Sequence, residues 1–315
     1  MPLTKVTDLA YVRLGAPDLD AMETFLVDFG LIRAARTENA LYMRGTDSPH
    51  HVHIAEKGPP RFLAIGYHAG SMADLERLAA APGASAVEAV DDPGGGHRVR
   101  LREPNGYAIE VVHGMLRLDP IAAPRQLLNS GDEPLRRAGR LMRLPPSPAP
   151  VKRIGHAVLS TPIVAETVKW FRDTLGFIGS DDVYAGAKEN VIGSFNRLDR
   201  GDEYVDHHVF FAVHNDRAGL NHVSYEVPDV DAVLKDHAHL KSLGRYEHMW
   251  GVGRHLLGSQ VYDYWSDPWG RVHERWADTD RLNASDGSNL LSVEDGFQSQ
   301  WGEPPPEKFL RNVSQ

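Results

Sequence analysis

The chain contains no cysteine. Disulfides and thiolate metal sites are therefore excluded, and any metal ion must be held by histidine and carboxylate. It also has no apolar run long enough to span a bilayer, so no membrane association is expected. The N-terminus, MPLTKVTDLAYVRLG, lacks a charged-then-apolar leader, which predicts a cytoplasmic protein. Nor is there an excess of positive charge. Lys and Arg number 34 against 43 Asp and Glu, a formal charge of −9 at pH 7, with no basic stripe to offset it. A nucleic-acid partner is not expected.

What is present begins with length: 315 residues suffice for two ordinary domains with sizeable cores. The 16 histidines are more than composition would suggest, and many fall between 207 and 273, where a site is expected. Residues 116–150, rich in Pro, Arg and Ala, have no strand pattern and read as an interdomain connector. A polar, Pro-rich tail, 281–315, is expected to wrap a surface or pack on a neighbouring subunit.

An internal repeat organises the rest. LAYVRLGAPDLDAMETFLVDFGL (9–31) matches IGHAVLSTPIVAETVKWFRDTLGF (154–177), each a strand, a Pro-containing turn, an amphipathic helix, then Gly and another strand. Met22, Phe25, Leu26 and Phe29 recur at helical spacing in the first copy, and Val168, Phe171 and Leu175 in the second. Shorter versions lie at 62–80 and 220–240. The ends of the halves also match, REPNGYAIEVVHG (102–114) against SDPWGRVHERWAD (266–278).

The repeated unit resembles the βαβββ module of the vicinal oxygen chelate superfamily, in which two modules form a sheet curled around a metal site. The resemblance implies an α+β fold of four modules paired into two domains, each a curled mixed sheet. An N-terminal structural domain would occupy 1–115 and a C-terminal catalytic domain 151–280.

Superposing the modules makes equivalent positions comparable. In the C-terminal half, His156 lies on the first strand of one module, His222 on the first strand of the next, and Glu274 on the last strand, after the turn Asp267-Pro268-Trp269-Gly270. Two imidazoles and a carboxylate suit Fe(II) with open positions, with Mn(II) as the other ion such a set could hold. A carboxylate among aromatics needs a partner, and a cation would supply it. The competing reading for Glu274 is an ion pair with Arg271 or Arg275. In the N-terminal half the equivalents are Tyr11, Ala64 and Glu110, so that half is expected to be metal-free.

The stretch GVGRHLLGSQVYDYWSDPWGRVHE (251–274) resembles the signature of the two-domain extradiol ring-cleaving catechol dioxygenases. It is similar in particular to a trihydroxytoluene-cleaving branch. The resemblance covers roughly 5–280 and implies an active-site Tyr at Tyr264 and a supporting His at His255. It also implies a catalytic His on the strand EYVDHHVFFAV. There strand alternation admits only one of His207 and His208, and His208 is preferred. The implied reaction inserts both atoms of O2 into a small aromatic diol, next to its two hydroxyls. His208 would hold or donate a proton, Tyr264 would hydrogen-bond substrate, and His255 would orient Tyr264. Trp250, Val252, Leu256, Leu257 and Phe210 are expected as walls of an apolar slot, with Arg254 and His248 as candidates for binding a substrate carboxylate. The alternatives are a glyoxalase-type isomerase or lyase, or an inactive binding protein. A homo-oligomer, dimer or tetramer, is expected.

Overall fold

The computed structural model describes residues 1–123, 127–144 and 147–315. The connector 116–150 therefore lies partly outside the described residues. Four copies of one strand–helix–strands unit follow each other along the chain. The first is β1 (Asp8–Ala16), α1 (Leu19–Asp28), β2 (Ile32–Arg36), β3 (Ala40–Arg44) and β4 (His53–Lys57). The second is β5 (Phe62–His68), α2 (Met72–Ala79), β6 (Glu88–Ala89), β7 (His97–Arg102) and β8 (Ala108–His113). The third is β9 (Arg153–Thr161), α3 (Val164–Leu175), β10 (Phe177–Tyr184), β11 (Val191–Leu198), a two-residue β12 (Val205–Asp206) and β13 (Phe210–His214). The fourth is β14 (Gly219–Glu226), α4 (Val230–Leu243), β15 (His248–His255), β16 (Val261–Ser266) and β17 (Val272–Ala277). The tail adds β18 (Arg281–Leu282), β19 (Asn289–Ser292), α5 (Val293–Gly296), β20 (Ser299–Trp301) and α6 (Glu307–Leu310).

The first two units share one mixed sheet, ordered β2-β3-β4-β1-β5-β8-β7-β6. The last two repeat that order in a second sheet, β10-β11-β13-β9-β14-β17-β16-β15. In each sheet the two units meet through their first strands, β1 against β5 and β9 against β14, both antiparallel. The tail covers both edges of the second sheet, β19 parallel to β10 and β20 antiparallel to β15. Covered edges leave fewer unpaired backbone groups to template association.

Local chemistry sets the elements. Asp18 caps α1, its side chain accepting from the backbone N–H of Asp20 and Ala21. Met22, Phe25 and Leu26 on α1 and Val168, Phe171 and Leu175 on α3 are buried, as the helical spacing predicts. The helices of the two halves contribute to one continuous core: Phe29 meets Tyr225 edge-on at 5.8 Å, and Tyr67 meets Phe177 at 5.4 Å. The two turns that end the halves are built alike. Gly270 donates to the Asp267 carbonyl at 2.9 Å and Gly106 to that of Glu103 at 2.8 Å. Both glycines sit at positive φ, +82° and +90°, where a side chain would be strained. Among the described residues no helix is long and apolar enough to cross a membrane.

Candidate active site

Register places the candidate ligands in one row. His156 on β9 stands opposite Ser224 on β14, Ser224 opposite Glu274 on β17, and Glu274 opposite Tyr264 on β16. His222 lies two residues before Ser224, on the same face of β14. His156, His222 and Glu274 are all buried, and their ligand atoms lie within 4.8 Å of one another. The His156 Nε2 and His222 Nε2 atoms approach Glu274 Oε2 to 2.8 and 3.4 Å. Neither Glu274 oxygen has a hydrogen-bond partner in alignment, although both are buried.

The charge states sharpen this. Burial pushes the His156 imidazole below its ordinary range, so it is neutral near pH 7. Burial alone would raise the Glu274 carboxyl, but His156, His222 and His255 around it hold it well below the usual carboxylate range. An ionised carboxylate is thus enclosed with no arginine or lysine touching it among the described residues. Arg271 bonds Asp267 through Nε at 2.7 Å, and Arg275 pairs with Asp236 at 2.9 Å on the other face of β17. The two ion pairs weighed against a metal role for Glu274 are therefore taken elsewhere.

The N-terminal half supplies an internal comparison. Tyr11, Gly66 and Glu110 occupy the register positions of His156, Ser224 and Glu274, and Ala64 that of His222. Glu110 is buried, but Tyr11 donates its hydroxyl to Oε2 at 2.6 Å and Arg13 Nη1 lies 3.5 Å away. Arg98 and Arg100 approach its other oxygen to 3.6 and 3.7 Å. Arg13 stands at the position of Val158 in the second sheet. Where the carboxylate keeps a built-in guanidinium, no imidazole pair is present. Where valine replaces that arginine, two histidines surround the carboxylate.

The other candidates gather around the same point. His255 Nε2 lies 2.8 Å from the Tyr264 hydroxyl and 3.7 Å from Glu274 Oε1. The His208 ring is centred 4.2 Å from that of His156 and lines the cavity. His207 turns away: its Nε2 meets Asp181 Oδ2 at 2.7 Å, while its Nδ1 faces Nδ1 of His208 at 3.1 Å. Burial, then His156 and His207, push the His208 imidazole well below its ordinary value. Burial, then the Glu274 charge, push the Tyr264 hydroxyl well above its own, so it stays protonated.

The cavity over the row measures about 140 Å³, and Trp250, Leu256 and Leu257 line it. Phe210 does not. It stacks on Phe171 in the core at 3.8 Å, and Phe211 takes its place on the wall, stacked on Phe195 at 3.9 Å. Residues 207–209 bend between β12 and β13, so alternation counted from His208 does not carry through to β13. Val252 packs behind the sheet with Val261 and Ala277. Arg254 bonds Asp278 at 2.8 Å and His248 bonds Asp263 at 2.8 Å, so neither offers a carboxylate partner in the cavity. Phe297 and Phe309, from the tail, also line the cavity and were not foreseen. A second pattern was also readable: HHVH (50–53) and HHVF (207–210) occupy equivalent register positions.

Residues 153–272 match the model of the Glyoxalase/Bleomycin resistance protein/Dioxygenase superfamily. The chain is 31% identical to Metapyrocatechase 2 of Cupriavidus necator, over 99% of this chain and 94% of that protein. Homoprotocatechuate 2,3-dioxygenase of Brevibacterium fuscum, in its anaerobic substrate complex, superposes with a TM-score of 0.82 at 20% identity, covering 99% and 94% of the two chains. The Mn(II)-bound glyoxalase of Novosphingobium aromaticivorans follows the same fold with a TM-score of 0.77 at 25% identity, covering 97% and 94%. On the full-length sequence match, together with the fold, the chain belongs to the type I extradiol catechol dioxygenases, the metapyrocatechase family of the vicinal oxygen chelate superfamily.

Proposed function

We propose that His156, His222 and Glu274 hold one Fe(II), and that the cavity above them takes a single-ring catechol with an apolar substituent. The observation that carries the reading is the buried Glu274, met by imidazoles and by no Lys or Arg among the described residues, where its register twin Glu110 keeps Arg13. Two neutral-capable imidazoles and a carboxylate with no proton donor in alignment fit a divalent cation. Bound there, iron would supply the charge that favours the deprotonated diol and the redox chemistry that couples it to O2. The same donor set would accept Mn(II), and Fe(II) is preferred for the oxygen chemistry of this family.

The chain's own residues then have distinct tasks. His208, kept neutral by burial, takes a proton from the diol and returns it later in the cycle. Its Nδ1 is occupied by His207, which leaves Nε2 as the working atom. Tyr264 stays protonated and donates a hydrogen bond towards a substrate oxygen. His255, 2.8 Å away, fixes the direction of that hydroxyl. Phe195, Phe211, Leu257 and Phe309 bury the ring and exclude water. The N-terminal sheet, residues 1–115, is proposed as structural, and a cytoplasmic homo-oligomer remains our expectation.

Among the described residues, no Lys or Arg lines the cavity. A substrate carboxylate would be buried without a partner, at a cost of several kcal/mol. Oxygen uptake with 3- and 4-methylcatechol is therefore expected to exceed that with 3,4-dihydroxybenzoate by at least about 100-fold in kcat/KM. Equal rates would refute the apolar assignment.

A further inference from the structure

Behind the β15–β16 hairpin, on the face away from the cavity, lies a second group of two imidazoles and one carboxylate. His237 comes from α4, His248 opens β15 and Asp263 is on β16. Their ligand atoms also lie within 4.8 Å of one another. His237 Nδ1 and His248 Nε2 converge on a single oxygen, Oδ1 of Asp263, at 3.1 and 2.8 Å. At the catalytic row the two Nε2 atoms likewise converge on one oxygen of Glu274. The two clusters share the same donor types and the same convergence, on opposite faces of one sheet.

Other histidine–carboxylate contacts in the molecule are built differently. Asp181 meets one imidazole and the Asn289 amide. Asp267 meets His273 but is also gripped by the Arg271 guanidinium. Asp263 has no Lys or Arg in contact among the described residues. Its neighbour across the strand pair, Arg275, is committed to Asp236. Asp236 and Asp263 thus place two buried carboxylates beside one guanidinium. The second oxygen of Asp263 is already fixed, accepting from the Trp265 indole N–H at 2.6 Å. Such support orients the remaining oxygen as a metal-bound carboxylate requires.

Access completes the picture. Asp263 is fully buried, while the side chains of His237 and His248 are 24% and 31% exposed, so an ion can enter and complete its shell with water. We infer that His237, His248 and Asp263 form a second, non-catalytic site for a first-row divalent cation of the zinc type, which clamps α4 to the hairpin carrying His255 and Tyr264. The nitrogen-rich donor set favours Zn²⁺, Ni²⁺ or Cu²⁺ over Mg²⁺ or Ca²⁺. The alternative is a plain hydrogen-bonded cluster, in which each imidazole donates a proton to Asp263.

The test counts ions. Metal-depleted full-length protein is equilibrated with Zn²⁺, desalted, and its zinc measured by mass spectrometry. Wild type is expected to carry one zinc per chain more than the His237→Ala, His248→Ala double variant. Glu274→Gln is expected to retain the zinc that the double variant loses, which separates this site from the catalytic one. If the double variant fails to fold by circular dichroism, His248→Gln alone, at the exposed ligand, is read for the same difference. Equal zinc in wild type and the folded ligand variant overturns the inference.

Discussion

Glu274 and Glu110 occupy one register position in two sheets and differ in what neutralises them. Arg13 and the Tyr11 hydroxyl serve Glu110, whereas Glu274 has imidazoles and no fixed cation. The clustering of His156, His222 and Glu274, proposed here as metal ligands, was legible in the sequence because repeat and register coincide: once 154–177 is laid over 9–31, His156 falls on Tyr11 without reference to any structure. Arg13 was not legible as the partner of Glu110, because that contact joins residues 97 apart in sequence. The wall residue Phe211 was missed because the sequence does not show which face of β13 turns inward after the bend at 207–209. His208→Asn is expected to lower kcat by about 100-fold or more while leaving bound iron unchanged, because general acid–base help is worth that much. Stopped-flow turnover alongside iron analysis checks it. An unchanged kcat would remove His208 from the chemistry.

The strand β17 shows how an element serves two ends at once. Its alternation turns Glu274 towards the cavity and Arg275 towards the helix layer, where Arg275 lies over the Phe29 ring at 4.2 Å and pairs with Asp236 of α4. Both partners are fully buried, so Asp236→Ala leaves a buried guanidinium without the carboxylate it contacts. It is expected to cost about 3 kcal/mol or more in urea unfolding. A loss below 1 kcal/mol would contradict this role for the pair. The four strand–helix–strands units could be read from helical spacing and the paired Gly turns. The short strands β19 and β20 could not, since their pairing with β10 and β15 is decided by open sheet edges far away in sequence. The helix α6, also in the tail, packs against the site through Phe309. It sets Phe309 against His222 and Tyr264, at 5.8 and 4.7 Å between ring centroids, so Phe309→Ala should raise KM for methylcatechols more than it lowers kcat. Steady-state oxygen uptake separates the two parameters, and a fall confined to kcat would count against a wall role.

The molecule as a whole is built around buried histidines that must stay neutral. Burial, then nearby positive groups, lower His51 to about 3 and His68 to about 4, and hold His53 well below its ordinary value. Unfolded histidine titrates at about 6.5, so below that pH the unfolded chain binds more protons and stability falls as the pH drops. Asp8 and Asp236, raised by burial to about 6, act in the opposite sense, since their contribution is lost as the pH rises through 6. The histidines outnumber them. The urea midpoint is accordingly expected to be lower at pH 5 than at pH 7, and a flat profile would contradict that balance. The two halves share one core, so such a loss should be cooperative rather than confined to one sheet.

One carboxylate of the register pair is proposed to hold iron and the other is not. The most direct test is iron content and methylcatechol-dependent oxygen uptake, measured side by side for wild type, Glu274→Gln and Glu110→Gln after anaerobic loading with Fe(II). Glu274→Gln is expected to lose both, while folded Glu110→Gln keeps its iron and turns over. Full iron in Glu274→Gln, or equal loss in both variants, would contradict it.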